Sequence, residues 1–537
     1  MQSKQAIKGA RLSFQQARLW PLAQNNAVYS VQCTVSLQGR FCAWAFQHAF
    51  ARLVERHEIL HTTFRFVRDL DVPMQVISPR IKVTAPIVDL TGLDVLEKSV
   101  QLLENLKLAQ EVPFDLAQGP LLRAILLQIT PDQHVLFLRL SSLCADNSTL
   151  SVLLSELHQA YISTLHQEII AGKPLQYIDV VSWQEELLSA PDAQSKQEFW
   201  RHMQLDASET VRMPLLHAQR ETGARMVCTP QWLSIPLEAT LIKRVYQQAA
   251  RVGVSARAYL LACWQVLLWR LTGEQTAIGV TCDGRHYEEL AGAPGLYSRV
   301  VPFRIEFEAD QPFERIVQRV EVMLRELIHY QEYYSGRELD TAVWQYLPAG
   351  YTYDYWPECW KTDEGNWYLS EATGVLEPFV LELRAGQVGD QLSLSLRYEK
   401  QYYSEQEAEK LGNGLRELLG HSLQEPACAV GRLRLLGEAE RAALWTRFTG
   451  AAEGEAAPRL HRVVEHWAHT QPEAPALVWG EEEVSYGQLN MRANQLGHAL
   501  RAQGVGAGSV VGICQQRGSG PVVSLLGIWK AGGGYAV

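Results

Sequence analysis

The chain lacks most of the features that place a protein at a glance. Its nine cysteines are an odd number at irregular spacing with no CxxC pair, which supports neither a disulfide framework nor a thiolate zinc site. Scattered reduced thiols of this kind suit a cytoplasmic protein. No apolar run is long enough to span a bilayer, and the polar start Met1-Gln2-Ser3-Lys4-Gln5 leads into no signal-like segment, so no membrane association is expected. Basic charge is scarce as well: 49 Lys and Arg stand against 59 Asp and Glu, and a net charge of -10 argues against a nucleic-acid partner. Internal repeats and extended low-complexity tracts are missing. What remains is 537 residues with 47% hydrophobic content, enough for sizeable cores in three or four folding units.

Periodicity divides the chain into four parts. From about residue 12 to 168, strands alternate with helices: a strand over 31–37, a helix over 43–55, a strand ending at Leu140 and a helix over 149–165. That order predicts an α/β lobe with helices packed on a sheet. A helical connector over 177–204 leads to a second α/β lobe, with a helix over 256–271 and a strand pair, 379–383 and 392–398, joined by a turn at 386–390. The small-residue, acidic stretch 450–458 reads as a flexible joint before a new pattern begins. The domains expected are therefore 1–170 (first lobe), 171–436 (connector and second lobe), 437–459 (linker) and 460–537 (a further α/β piece).

The most informative stretch is Ser141-Ser142-Leu143-Cys144-Ala145-Asp146-Asn147, which follows Val135-Leu136-Phe137-Leu138-Arg139-Leu140 and precedes a helical pattern. A nearly continuous apolar run reads as a buried strand, and the polar cluster after it as a strand-to-helix turn.

In position and surroundings this turn resembles the HHxxxDG motif of condensation domains in nonribosomal peptide synthetases. Ser141 and Ser142 stand where the histidines would be, Asn147 replaces the glycine, and Asp146 is retained. Further resemblances follow in the family's order. Leu12-Ser13-Phe14-Gln15-Gln16-Ala17-Arg18-Leu19-Trp20 is similar to the opening signature. Arg56-His57-Glu58-Ile59-Leu60-His61-Thr62-Thr63-Phe64 is similar to RHExLRTxF with His61 in place of arginine. Tyr177-Ile178-Asp179-Val180-Val181-Ser182-Trp183-Gln184 is similar to YxDxxxWQ. Asp283-Gly284-Arg285 stands at the family's GR turn, and the run from Gly295 through Tyr297 and Arg299 to Arg304 stands at GxFVNTLPLR. Gln331-Glu332-Tyr333-Tyr334 lacks the expected Pro-Phe, and the aromatic run 351–356 occupies the region of RDxSxNP. Near the end, Val484-Ser485-Tyr486-Gly487-Gln488-Leu489 and the run 529–537 resemble the first motifs of adenylation domains.

The resemblance implies two lobes like chloramphenicol acetyltransferase in a V, with the motif turn at the cleft, followed by an incomplete α/β adenylation segment. It implies no directly bound cofactor and no metal. Phosphopantetheine arms would come from upstream and downstream peptidyl carrier proteins, and ATP with Mg²⁺ would serve only an adenylation remainder downstream, so the chain reads as a fragment unable to activate an amino acid alone. An adenylation domain in cis is the further partner, with a tailoring enzyme as an additional one.

The family's second motif histidine acts as a base or orients the attacking amine; an imidazole suits both roles because it titrates near neutrality. Ser142 can hydrogen-bond but cannot hold a proton at neutral pH. The family's aspartate pairs with the arginine of RHExLRTxF, so with His61 there, Asp146 is expected to keep at best one pH-dependent contact. The candidate site is Ser141, Ser142 and Asp146, with His61, Cys144, Asn147, Tyr297 and Arg299 around the cleft. Each also has a plainer reading. Ser142 caps the following helix, Cys144 is a small buried thiol rather than a nucleophile, and Asp146 is structural. His57 and His61 cap helix-end carbonyls, Arg299 faces solvent, and the aromatic run packs in a core or loop. Three functions stay open: a condensation-type domain with weakened or lost peptide-bond formation, a fully active one, and a docking platform for a carrier protein or tailoring enzyme.

Overall fold

The computed structural model describes residues 9–24, 26–66, 73–78, 82–168, 172–202, 213–214, 229–334, 347–361, 365–449 and 459–537. The chain forms two compact units, Met1–Glu438 and Ala439–Val537.

In the first unit the strand Ser30–Gly39 alternates inward Val31, Cys33, Val35 and Leu37 with polar residues, the period expected of a half-covered strand. It lies between Gln133–Ser141 and Gly365–Gly374 in a sheet of order Trp360–Lys361, Gly365–Gly374, Ser30–Gly39, Gln133–Ser141, Leu122–Thr130, Ile87–Asp89. The helix Ala43–Arg56 buries Ala45, Phe46, Ala49, Phe50, Leu53 and Val54, a stripe at helical spacing that packs on the helix Asn147–Leu165. A small antiparallel sheet of Gly9–Arg11, Pro73–Ile77 and Thr62–Phe66 completes this lobe.

The second lobe has the sheet order Arg299–Phe303, Ile278–Cys282, Ala349–Trp356, Leu381–Val388, Gln391–Glu399, Pro230–Ile235. Its helix Ala256–Thr272 is apolar nearly all round because it is buried on nearly all sides, capped by Ser255 at one end and by left-handed Gly273 at the other. Among the described residues no single helix is long and apolar enough to cross a membrane. The aromatic run 351–356 lies in the strand Ala349–Trp356; Tyr351, Tyr353 and Trp356 pack in the core, while Tyr355 is exposed.

Most expected elements fall within one or two residues of the observed ones, and the connector is a helix pair, Tyr177–Ser189 and Ala193–His202; residues 203–204 lie outside the described ones. The division at 170/171 is not clean. Gly365–Gly374 crosses from the second lobe and pairs with Ser30–Gly39 of the first, an antiparallel match of long-range partners that no local pattern announces, and Trp360–Lys361 pairs on its outer side. Within the stretch 437–459 the chain forms the helix Glu438–Thr449, while 450–458 lie outside the described residues.

The second unit contains the helices Leu460–Thr470, Tyr486–Ala502 and Ser519–Ala531, the hairpin Pro475–Trp479 with Glu482–Ser485, and a parallel pair, Val510–Gly512 with Gly534–Ala536. Its core is Val484, Leu489, Ala493 and Leu526.

Candidate functional site

The strand Gln133–Ser141 delivers the motif turn to the seam between the lobes. Ser141 stays in the ladder opposite Ser30, and Ser142 N–H donates to the Tyr29 carbonyl at 3.1 Å. The helix Asn147–Leu165 is capped by Asp146, whose Oδ1 accepts from Thr149 N at 2.8 Å; the expected capping by Ser142 is corrected on this point. Ser142 is fully buried, and its hydroxyl donates to the Val375 carbonyl at 2.8 Å. Cys144 is buried too, and burial pushes its thiol well up, the opposite of what a thiolate nucleophile needs.

Asp146 has not lost its bidentate partner. Arg285 Nη1 meets Oδ2 and Nη2 meets Oδ1, each at 2.9 Å, and Tyr297 N and Ser298 N donate to Oδ2 at 2.9 Å. His61 is not among its partners: it ends the 3-10 turn Glu58–His61, and burial lowers its pKa. Burial opposes the charge on Asp146, but Arg285, Thr149 and the Ser298 amide outweigh it and hold the carboxyl below the usual range. His57, expected to cap carbonyls, instead brings its Nε2 to 2.5 Å from Glu156 Oε2.

Two glycines make this convergence possible. Gly284 has φ of +67°, and a Cβ there would lie 1.9 Å from the Tyr297 carbonyl oxygen. At Gly295 a Cβ would lie 2.1 Å from the Tyr177 ring, whose hydroxyl sits 2.8 Å from both Ser13 Oγ and the Leu296 carbonyl. Tyr297 is buried beneath the Arg285 guanidinium, 4.6 Å from its ring.

Arg299 neither faces solvent nor projects a free cation into the cleft. It is buried, with Nη2 2.5 Å from Glu332 Oε2 and Nη1 donating to the Gln331 and Glu332 carbonyls at 3.1 and 2.9 Å. Asn147 Nδ2 donates to Asp354 Oδ2 at 2.9 Å, and Asp354 begins a chain of charges through Arg384, Glu382 and Arg397. Burial raises the Asp354 carboxyl despite Arg384. This polar chain escaped the sequence reading. Its signal was the alternation Leu381-Glu382-Leu383-Arg384, whose charged positions are buried instead of solvated.

Two small cavities lie at the seam among the described residues. One cavity of about 20 Å³ is lined by Asn147, Thr352 and Arg384 among others, and a second of about 30 Å³ by Phe14, Arg18 and Tyr334 among others. Volumes of this size hold a water molecule or two, not a pantetheine arm.

Residues 7–338 match the condensation domain family, and 464–537 match the AMP-binding enzyme family. The chain belongs to the condensation-domain family. The condensation domain is followed by the start of an AMP-binding domain. The chain is 28% identical to a linear gramicidin synthase of Brevibacillus parabrevis over 98% of its own length and 10% of that protein's. It thus spans about a tenth of the length of that curated relative. The four-domain nonribosomal peptide synthetase holo-AB3403, bound to AMP and glycine, shares its fold with a TM-score of 0.71 at 17% identity, covering 98% of this chain and 41% of the other. The X-domain in complex with OxyB from teicoplanin biosynthesis does so with a TM-score of 0.65 at 20% identity, covering 80% of this chain and 97% of the other. The two-lobed α/β fold expected from the motifs is the fold of these proteins.

Proposed function

We propose that the chain is part of a nonribosomal peptide synthetase whose condensation domain handles acyl and aminoacyl thioesters on carrier-protein phosphopantetheine arms, with peptide-bond formation weakened or lost. The observation that carries this reading is the Ser142 hydroxyl: in the place of the motif's second histidine it is fully buried and committed to the Val375 carbonyl. A serine hydroxyl holds no extra proton near neutral pH, and one fully buried against a backbone carbonyl is out of reach of an entering amine. Loss of a positioned general base costs about 10²–10⁴ in rate. Asp146 is a positioning residue, its carboxylate spent on Arg285 and two backbone amides. The partners are carrier proteins on either side, with the AMP-binding domain in cis.

The docking reading has one observation in its favour: a domain of this fold occurs in complex with the enzyme OxyB. The test loads donor and acceptor carriers with defined aminoacyl groups, adds the full chain and follows the dipeptidyl thioester by mass spectrometry. Product is expected at least about a hundredfold slower than with a domain carrying both histidines. Robust product, unaffected by Ser142→Ala, would sink the proposal. Absence of product together with tight binding of a carrier or tailoring enzyme would favour the platform.

A further inference from the structure

A third cavity, of about 320 Å³, shares no lining residue with the two at the seam. It lies in the first lobe, between the helix Val95–Glu111 and the strand Leu122–Thr130. Its floor follows from the ladder with Gln133–Ser141: Arg123 stands opposite Arg139 and Ile125 opposite Phe137, so these four share one face of the sheet. The helix above them buries none of its residues, and its Leu96, Val100 and Leu103, at helical spacing, are exposed. To the cavity it brings Asn105, Leu108 and Ala109. A polar side chain and a small one leave the space unfilled, with Val83, Pro86 and Val112 completing apolar walls.

Positive charge gathers beside this apolar space. Arg123 and the exposed Lys82 line it, and buried Arg139 lies directly across the ladder from Arg123, an arrangement in which like charges repel. The two guanidiniums hold the Phe114 ring between them, 4.5 and 5.0 Å from its centre. Arg123 donates to the Val112 carbonyl and, at 2.6 Å, to that of Pro113; Arg139 Nη1 donates to the Ala109 and Val112 carbonyls at 3.3 and 2.8 Å. Both therefore cap the end of the helix. Carbonyls satisfy the N–H groups but supply only partial negative charge, and among the described residues neither arginine has a carboxylate partner. Burial and then Arg123 push the Arg139 guanidinium down to about 10, the direction expected of a cation short of a counter-charge.

We propose that this cavity binds a free medium-chain carboxylate, its alkyl tail between the helix and the Ile125–Phe137 floor and its head group at Arg123 and Lys82. An apolar cavity of about 150 Å³ accepts benzene, so one about twice as large accommodates a chain of about ten carbons. The site is separate from the Ser142 turn and stands whether or not the domain forms peptide bonds.

Isothermal titration calorimetry of the full chain would compare decanoate with butyrate and with decyltrimethylammonium. Decanoate should bind at least about a hundredfold more tightly than butyrate, whose tail is far shorter, and at least about tenfold more tightly than the cationic amphiphile. Ala109→Phe, which fills the space from the helix side, should weaken decanoate by about tenfold or more. Lys82→Glu, at an exposed position, should weaken it by about threefold with the packing untouched. Arg123→Gln should weaken it by about tenfold, while Arg123→Lys, which keeps the charge, should stay within about threefold of the parent. No binding of decanoate below about 5 mM, or an unchanged affinity in Ala109→Phe or Lys82→Glu, would overturn the proposal. Equal affinity for the two ten-carbon amphiphiles would do the same. So would an Arg123→Lys loss as large as that of Arg123→Gln, since the arginine would then serve only as a cap for the helix.

Discussion

Arg299 and Glu332 meet across 2.5 Å in a buried ion pair, and each occupies a place where the chain departs from the condensation-domain pattern. Arg299 replaces the asparagine of GxFVNT, and Glu332 lies in the run that lacks Pro-Phe. Two departures read separately as damage are thus one contact, each charge supplying the other's partner.

Removing one member should therefore hurt more than removing both. Arg299→Ala leaves Glu332 buried without its cation and is expected to cost about 3–5 kcal/mol in urea unfolding. The double change Arg299→Met with Glu332→Leu should recover most of that loss. Additive losses in the double-mutant cycle would show that the two side chains are not coupled.

The Asp146–Arg285 pair sets an acid limb. Because the folded-state pKa of Asp146 is depressed, its contribution is fully present above the unfolded carboxylate value of about 3.9 and is lost as pH falls through the lower folded value. Asp146→Asn should lower stability at neutral pH and flatten the stability curve below about pH 4. An acid limb of unchanged steepness, read from urea midpoints against pH, would assign that limb to other carboxylates.

Ser142 is expected to behave as a tie and not as a catalyst. Ser142→Ala should destabilise by about 1 kcal/mol, the worth of its hydrogen bond to the Val375 carbonyl. Ser142→His should destabilise by about 1–3 kcal/mol through overpacking of a fully buried position, and should not restore dipeptide formation. A stable, active histidine variant would contradict both statements.

In the second unit, Val510–Gly512 pairs with Gly534–Ala536, and residues 510–512 stay largely exposed. Amide exchange of the chain should be slowest in the packed helices Tyr486–Ala502 and Ser519–Ala531 and fastest in the parallel pair. Uniformly slow exchange over 485–537 would mean that the exposed strands are held by contacts beyond those described.

The sequence by itself determined the local elements and their order. The alternation through Ser30–Gly39, the stripe of Ala43–Arg56 and the apolar run into the Ser141–Asn147 turn follow from backbone periodicity, which acts over a few residues. Tertiary structure decided which remote groups the turn would meet. Arg285, 139 positions beyond Asp146, takes the role that the family resemblance had assigned to position 61. Val375 claims the Ser142 hydroxyl because a strand from the second lobe completes the first sheet. A buried charge or hydroxyl must find a partner somewhere, and composition can state that need. Only the folded path of the chain chooses which partner arrives.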